Sequence, residues 1–116
     1  MIKAIENEED VEIAVQLDNM EIVKRSDNFW EALLSVRREL ELKEIRLLCK
    51  GCCKNVYPSA MMLSMGAGRR EYVLNVGEQA KLESLVDIFD NCASDEYFSI
   101  AEQQNYYDEW CNSIGG

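Results

Sequence analysis

The sequence predicts an α+β fold, in which residues 1–116 form a single small domain with a mostly antiparallel sheet and helices packed on it as a two-layer α/β sandwich. Its length of 116 residues and its hydrophobic fraction of 47% suffice for one core. Segments in which apolar and polar residues alternate are interleaved with segments that have apolar residues at helical spacing. These elements are too few for a doubly wound sheet, so one sheet with helices on a face is the simplest arrangement.

A β-hairpin is predicted near the N-terminus. Apolar residues occupy every second position of residues 11–17, a pattern typical of a half-buried strand. Residues 18–19, an Asp-Asn pair, then form a tight turn into a second strand at residues 20–24.

The first helix is predicted to begin after Asn28, because Glu31 stands three residues later and the two side chains can form a capping box. Apolar side chains then recur at helical spacing until near Lys43, where the helix is expected to end. The residues of this stripe are Phe29, Trp30, Leu33, Leu34, Val36 and Leu40.

The second half is predicted to contain further strands and two more helices. Alternating apolar residues indicate strands at 45–49, 56–57 and 72–76, and helical spacing indicates a short helix at 82–89. The last helix follows Ser99, where the Glu three residues on completes a second capping box. Gly115 is its expected stop. Its inner side carries Ile100, Tyr107, Trp110, Cys111 and Ile114.

The charge of the chain indicates which partners it can bind. The formal net charge is -10, and residues 82–116 contain eight acidic side chains and no Lys or Arg. Such a field repels nucleic acid and anionic membranes, so neither is an expected partner. It attracts a basic protein and speeds the encounter, although acidity also serves solubility alone.

The candidate partner-binding residues are therefore acids of the last third, together with an aromatic side chain at the edge of the last helix. An exposed Tyr beside several acids is a suitable anchor for a basic surface. The alternative interpretation is that the acids are only solvated and that Tyr107 and Trp110 belong to the core. The candidates are Asp87, Asp90, Asp95, Glu96, Glu102, Tyr106, Asp108 and Glu109.

No enzymatic activity, cofactor or metal is expected from the sequence. The chain has no His, which removes the usual general base and the commonest metal ligand. Cys49 and Cys52 have the spacing of half a zinc site, but no second such pair exists, so the five cysteines are expected to be free thiols that act mainly as small buried hydrophobes. The N-terminus turns acidic without an apolar leader, which favours a cytoplasmic protein.

The stretch RLLCKGCCKNVYPSAMMLSMGAGRREYVLNVGE, followed by SLVDIFD, resembles a family of small bacterial proteins. The Phe-Trp-Glu segment and the Arg37-Arg38 pair of the first helix fit the same pattern, so the resemblance covers roughly residues 29–90. Ala60, where the pattern favours Gly, and the cysteine cluster depart from it. Some members of this family resemble the immunity proteins of contact-dependent growth inhibition toxins.

This resemblance implies a protein that binds and neutralises a cognate bacterial toxin, often a nuclease, by masking its active surface. It supplies no catalytic residue. A small acidic secretion or assembly chaperone, or an adaptor that binds a partner polypeptide, is the alternative, and an enzyme that uses only carboxylates, Tyr or Cys is the third hypothesis. Both a monomer and a dimer are compatible with the leading hypothesis.

Overall fold

Two antiparallel three-stranded sheets and two α-helices form one α+β domain in a computed structural model, which describes residues 2–58, 66–79 and 85–114. The α+β class is confirmed, and the expected single sheet is divided into two. The first half contains β1 (Ile2–Glu6), β2 (Val11–Gln16), β3 (Glu21–Ser26) and α1 (Phe29–Leu42). The second half contains β4 (Val56–Tyr57), β5 (Arg70–Val73), β6 (Leu85–Asp87) and α2 (Ile100–Ser113). Short 3₁₀ helices lie at Lys50–Cys52, Gly66–Gly68 and Ser94–Glu96.

The first sheet has the order β1-β2-β3 and contains the predicted hairpin. The Leu17 amide donates to the Met20 carbonyl at 2.8 Å across the predicted turn. Alternate residues of β2 are buried, as the period-2 pattern predicts. Strand β1 was not predicted, although it pairs with β2 along its whole length. Its sequence, which includes Lys3 and Glu6, lacks the regular apolar alternation of a half-buried strand.

Helix α1 lies on this sheet, with its predicted boundaries confirmed. The Asn28 side chain accepts a hydrogen bond from the Glu31 amide at 2.9 Å, and Lys43 is the C-cap. The buried face of the helix contains the predicted apolar stripe, apart from the half-buried Leu34, and one charged residue, Arg37. Neither α1 nor any other helix in the described parts of the chain has the length and apolar character needed to cross a bilayer.

The second sheet has the order β4-β5-β6 and corrects three predictions. The strand predicted at 45–49 is wrong, because only Cys49 pairs there, in an isolated bridge with Asn91. β5 ends at Val73, so the strand predicted at 72–76 is right only at its start. The helix predicted at 82–89 is wrong in its described part, where β6 pairs antiparallel with β5. Short apolar runs do not distinguish a strand from a helix turn.

The main core joins α1 and β2 to the corner formed by residues 49–53. Cys49, Cys52, Cys53 and Cys92 are free thiols buried in or beside this corner, so the prediction that the cysteines are free and buried is confirmed for these four. Cys111 is only partly buried.

Gly51 is buried at the point where this corner touches α1, and it is expected to tolerate no side chain. A Cβ atom there would overlap Leu33 Cδ2 and would lie 3.1 Å from Ile88 Cβ. We therefore expect Gly51→Ala to lower the free energy of unfolding by about 1–3 kcal/mol, the usual cost of overpacking. Urea denaturation measures this loss. Adding Leu33→Val, which removes the overlapping atom, should make the double variant less destabilised than the sum of the single changes; full additivity would contradict the proposed overlap.

Candidate partner-binding surface

Helix α2 starts at a fully formed capping box, which confirms the prediction at Ser99 and Glu102. The Ser99 hydroxyl accepts from the Glu102 amide at 3.1 Å, and the Glu102 carboxylate accepts from the Ser99 amide at 2.9 Å. The Glu41 carboxylate of α1 accepts from the Ile100 amide at 2.8 Å. Three amide groups at the start of the helix therefore donate to acceptors within the protein. The Glu102 carboxylate already accepts one of these hydrogen bonds, so it is less available for contact with a partner.

A single buried side chain, Gln103, anchors α2 to the rest of the domain. It is the only buried residue described in this fourteen-residue helix. Its side-chain NH₂ lies within hydrogen-bond distance of three main-chain carbonyls in the corner and β4, and its carbonyl oxygen accepts from Arg37 Nη1 at 2.6 Å. The three carbonyls belong to Gly51 at 3.0 Å, Cys53 at 2.8 Å and Val56 at 2.8 Å.

Arg37 of α1 completes this polar anchor. It is 1% exposed, and its other hydrogen bonds run to the carbonyls of Phe98 at 2.7 Å and Gly51 at 3.3 Å. A buried guanidinium requires such acceptors because desolvation of an unpaired charge is very costly. Arg37 and Gln103 thus fix the connection into α2 and its first two turns with hydrogen bonds more than with apolar packing.

An aromatic strip, defined as Trp30, Tyr57, Tyr107 and Trp110, runs from the core to the surface beside α2. The rings of Tyr57 and Tyr107 are stacked, with centroids 4.0 Å apart and planes 14° apart. Trp30 lies 5.7 Å from Tyr57, and Trp110 lies 6.0 Å from Tyr107. Trp30 is buried, whereas the other three rings are only half-buried. Part of each of these three rings therefore remains available for contact with another molecule.

Asp108 borders the aromatic strip and places negative charge beside it. The Tyr57 hydroxyl donates to the Gln104 side chain at 2.5 Å, and the Gln104 NH₂ donates to the Asp108 carboxylate at 3.1 Å. Burial and then the negative charge of Asp108 raise the pKa of Tyr57 above its usual value. Glu109, the next residue, is fully on the solvent side of the helix. We call Tyr107, Asp108, Glu109 and Trp110 the α2 face.

Tyr106 does not have the exposed position expected from the sequence. Its hydroxyl donates to the Leu74 carbonyl at 3.0 Å, and its ring packs edge-on against Phe98 at 6.5 Å. Tyr107 and Trp110 are half-buried as well: they pack against the small second core of Tyr72 and Leu74, in agreement with their predicted place on the inner side of the helix, and Trp110 Nε1 donates to the Glu78 carbonyl at 2.7 Å. The part of each ring that stays exposed lies beside Asp108 and Glu109, which are exposed.

The remaining acidic candidates lie outside α2 and differ in availability. Asp87 of β6 accepts hydrogen bonds from Arg69 Nε and from the Phe89 amide, both at 2.9 Å, so it stabilises the local structure. Asp90 and Asp95 are exposed in the connection from β6 to α2, and Glu96 is half-buried there. Among the candidates, Asp108 and Glu109 are exposed and also lie next to half-buried aromatic rings.

Within residues 2–58, 66–79 and 85–114, no three His, Cys, Asp or Glu side chains are arranged to hold a metal ion. No family model matches the chain, and no curated protein matches it.

Proposed function

We propose that the protein is a cytoplasmic immunity protein that binds a cognate bacterial toxin, a basic nuclease, and masks its active surface with the α2 face. The observation that carries this proposal is the incomplete burial of α2. Only Gln103 is buried, and Tyr107 and Trp110 are left half-covered beside the exposed Asp108 and Glu109. Aromatic side chains surrounded by charge are enriched at the energetic centres of protein interfaces.

The charge distribution supports a basic partner. Residues 82–116 contain no Lys or Arg, so the acids of α2 have no cationic neighbours from their own part of the chain. Nuclease surfaces are basic because their substrate is a polyanion. An acidic inhibitor occupies such a surface, with long-range attraction setting the association rate and the half-buried rings contributing to residence time. This chemistry agrees with the resemblance to immunity proteins.

A chaperone function receives less support from the described surface. A chaperone that holds an unfolded segment presents a continuous apolar face. The exposed large apolar side chains among the described residues stand on four separate segments and form no stripe along one element. These side chains are Val23, Leu42, Leu48 and Val76.

Association with the toxin is expected to depend on ionic strength. The attracting acids are exposed, so salt screens them over about 8 Å at physiological ionic strength. Raising the salt concentration from about 0.01 M to about 0.15 M should slow association several-fold and change dissociation much less. Stopped-flow mixing of the two proteins separates the rates. An association rate that is independent of salt would remove electrostatic steering from the proposal.

A growth experiment tests the function itself. The open reading frame encoded immediately upstream should be toxic when it is expressed alone in a bacterial host. Co-expression of this protein should restore growth, and the two proteins should co-purify as a stoichiometric complex. Restored growth without a complex, or a complex that leaves toxicity unchanged, would contradict neutralisation by masking.

A further inference from the structure

Two cysteine sulfurs lie in contact inside the corner that seats α2. The Cys52 amide donates to the Cys49 carbonyl at 2.9 Å, which closes one 3₁₀ turn and brings the two side chains to the same side. Their Sγ atoms are 3.7 Å apart in a hydrogen-bond contact, and the residues are 1% and 0% exposed. A disulfide requires sulfurs about 2.05 Å apart, so the pair can be joined by a small side-chain movement.

The surroundings of the pair lower the pKa of one sulfur and raise that of the other. The hydrogen bond from Cys49 lowers the pKa of Cys52, and the positive charge of Arg37 lowers it further, although burial opposes both effects. The same hydrogen bond, followed by burial, raises the pKa of Cys49. Arg37 Nη1 donates to the carbonyl of Gly51, the residue next to Cys52, at 3.3 Å. Cys52 is thus the more acidic sulfur of the pair and the one better suited to act as a nucleophile.

A second pair of buried cysteines, Cys53 and Cys92, differs because the pKa of Cys53 is raised. Burial, followed by its contact with Cys92, raises the pKa of Cys53 to about 12. The Cys92 thiol donates to the Ala93 carbonyl at 3.3 Å. Because the chemistry of thiol–disulfide exchange begins with a thiolate, Cys53 is held in the unreactive form.

We propose that Cys49 and Cys52 form a redox-active dithiol that closes reversibly to a disulfide with a small disulfide of the glutathione class. The Cys52 thiolate attacks one sulfur of the oxidant and displaces the first small thiolate. Cys49 then loses its proton and attacks the Cys52 sulfur of this mixed disulfide, and the second small thiolate leaves. The two released thiolates take up the two protons of the dithiol, so the protein pair is oxidised and the oxidant is reduced to two thiols.

Because the pair is buried, this reaction requires the corner to open locally. Residues 49–53 belong to no strand, but the Lys50 amide donates to the Asp90 carbonyl at 2.6 Å and the Gly51 amide to the Ile88 carbonyl at 2.9 Å, in addition to the isolated bridges of Cys49 and Cys53. We therefore expect oxidation to be slow and to be limited by this opening. The Cys52 carbonyl accepts a hydrogen bond from the Phe98 amide at 3.0 Å, just before α2 begins. Oxidation of the pair would therefore affect the segment that holds the start of α2.

Peptide mapping of the intact protein tests this inference independently of any toxin. The protein is incubated with oxidised glutathione, then alkylated, denatured and cut with trypsin. Cleavage after Lys50 separates Cys49, in peptide 47–50, from Cys52, in peptide 51–54. The expected product is a disulfide that joins these two peptides, with loss of the mass of two hydrogen atoms per protein, and it should disappear after treatment with dithiothreitol.

Cysteine variants identify the sulfurs involved. Cys53→Ser removes the other cysteine of peptide 51–54 and should leave the link intact, whereas Cys52→Ser should abolish it. Cys92 and Cys111 both lie in peptide 82–116, so a bond from the second pair gives a different linked product. A link between 51–54 and 82–116 in place of the expected one, disulfide-bonded dimers, or no disulfide in the wild-type protein would each overturn the proposal. Fragmentation of the linked peptides by tandem mass spectrometry assigns the bond to Cys52 or to Cys53 in the wild-type protein, so the proposal is decided even if a variant fails to fold.

Discussion

Replacing Gln103 by leucine is expected to lower the free energy of unfolding by about 3–5 kcal/mol, because it leaves several buried polar groups without partners. The carbonyls of Cys53 and Val56 lose the Gln103 donor, and the guanidinium of Arg37 loses the acceptor at 2.6 Å. Each buried group left unsatisfied costs about 1–3 kcal/mol, and a charged group costs more. Chemical denaturation monitored by circular dichroism measures the loss.

Gln104→Leu is the matched control for this change. It makes the same substitution one residue further along α2, but the hydrogen bonds of Gln104 are exposed to solvent. Its effect should remain within about 1 kcal/mol. Adding Arg37→Met to Gln103→Leu should cost less than the sum of the two single changes, since both remove the same hydrogen bond. Equal losses for Gln103→Leu and Gln104→Leu would contradict the anchoring role of Gln103.

Local signals explain the parts of the fold that the sequence predicts well. The N-caps at Asn28 and Ser99 depend on side chains within three residues, and both are found where they are expected. The hairpin at residues 18–19 also depends on neighbouring residues alone. Segments whose pairing depends on distant residues are predicted poorly. Residues 45–49 have the apolar alternation of a strand, but only Cys49 forms a β-bridge. The segment that forms β6 is predicted as part of a helix, because its pairing with β5 leaves no local signal.

For the candidate site too, the features that depend on local sequence are predicted, and those that depend on distant residues are not. The sequence identifies the acids and the helix that carries Asp108 and Glu109, and both are exposed as expected. It misplaces Tyr106, because the Leu74 carbonyl that holds its hydroxyl comes from beyond the end of β5. Gln103 had a signal in the sequence, since it lies three residues after Ile100 and four before Tyr107, on the inner side of α2. Its partners could not be predicted, because they lie 47–66 residues away.

Reversing the charge of the α2 face is expected to weaken binding to the toxin strongly while preserving the fold. The double change Asp108→Lys and Glu109→Lys places two cations opposite a basic surface, and like charges in an interface cost several kcal/mol. We expect a loss of affinity of about 10²-fold or more. Both residues are exposed in the C-terminal half of α2, where cations suit the helix dipole, so stability should change by less than about 1 kcal/mol.

The control for this reversal has the same change in net charge at another acidic surface. Glu8→Lys with Glu9→Lys alters two exposed acids in the turn between β1 and β2. This variant should slow association modestly through the altered long-range field and should leave dissociation unchanged. Circular dichroism melting of both variants establishes that each is folded before binding is measured.

The most direct measurement is the dissociation constant of the proposed toxin domain, purified from the neighbouring open reading frame, with the wild-type chain and with the two double variants at one ionic strength. Masking of the toxin by the α2 face predicts tight binding by the wild-type protein, a large loss for Asp108→Lys with Glu109→Lys, and a small loss for Glu8→Lys with Glu9→Lys. An unchanged dissociation constant for the folded α2 variant, or equal losses for the two variants, would contradict it.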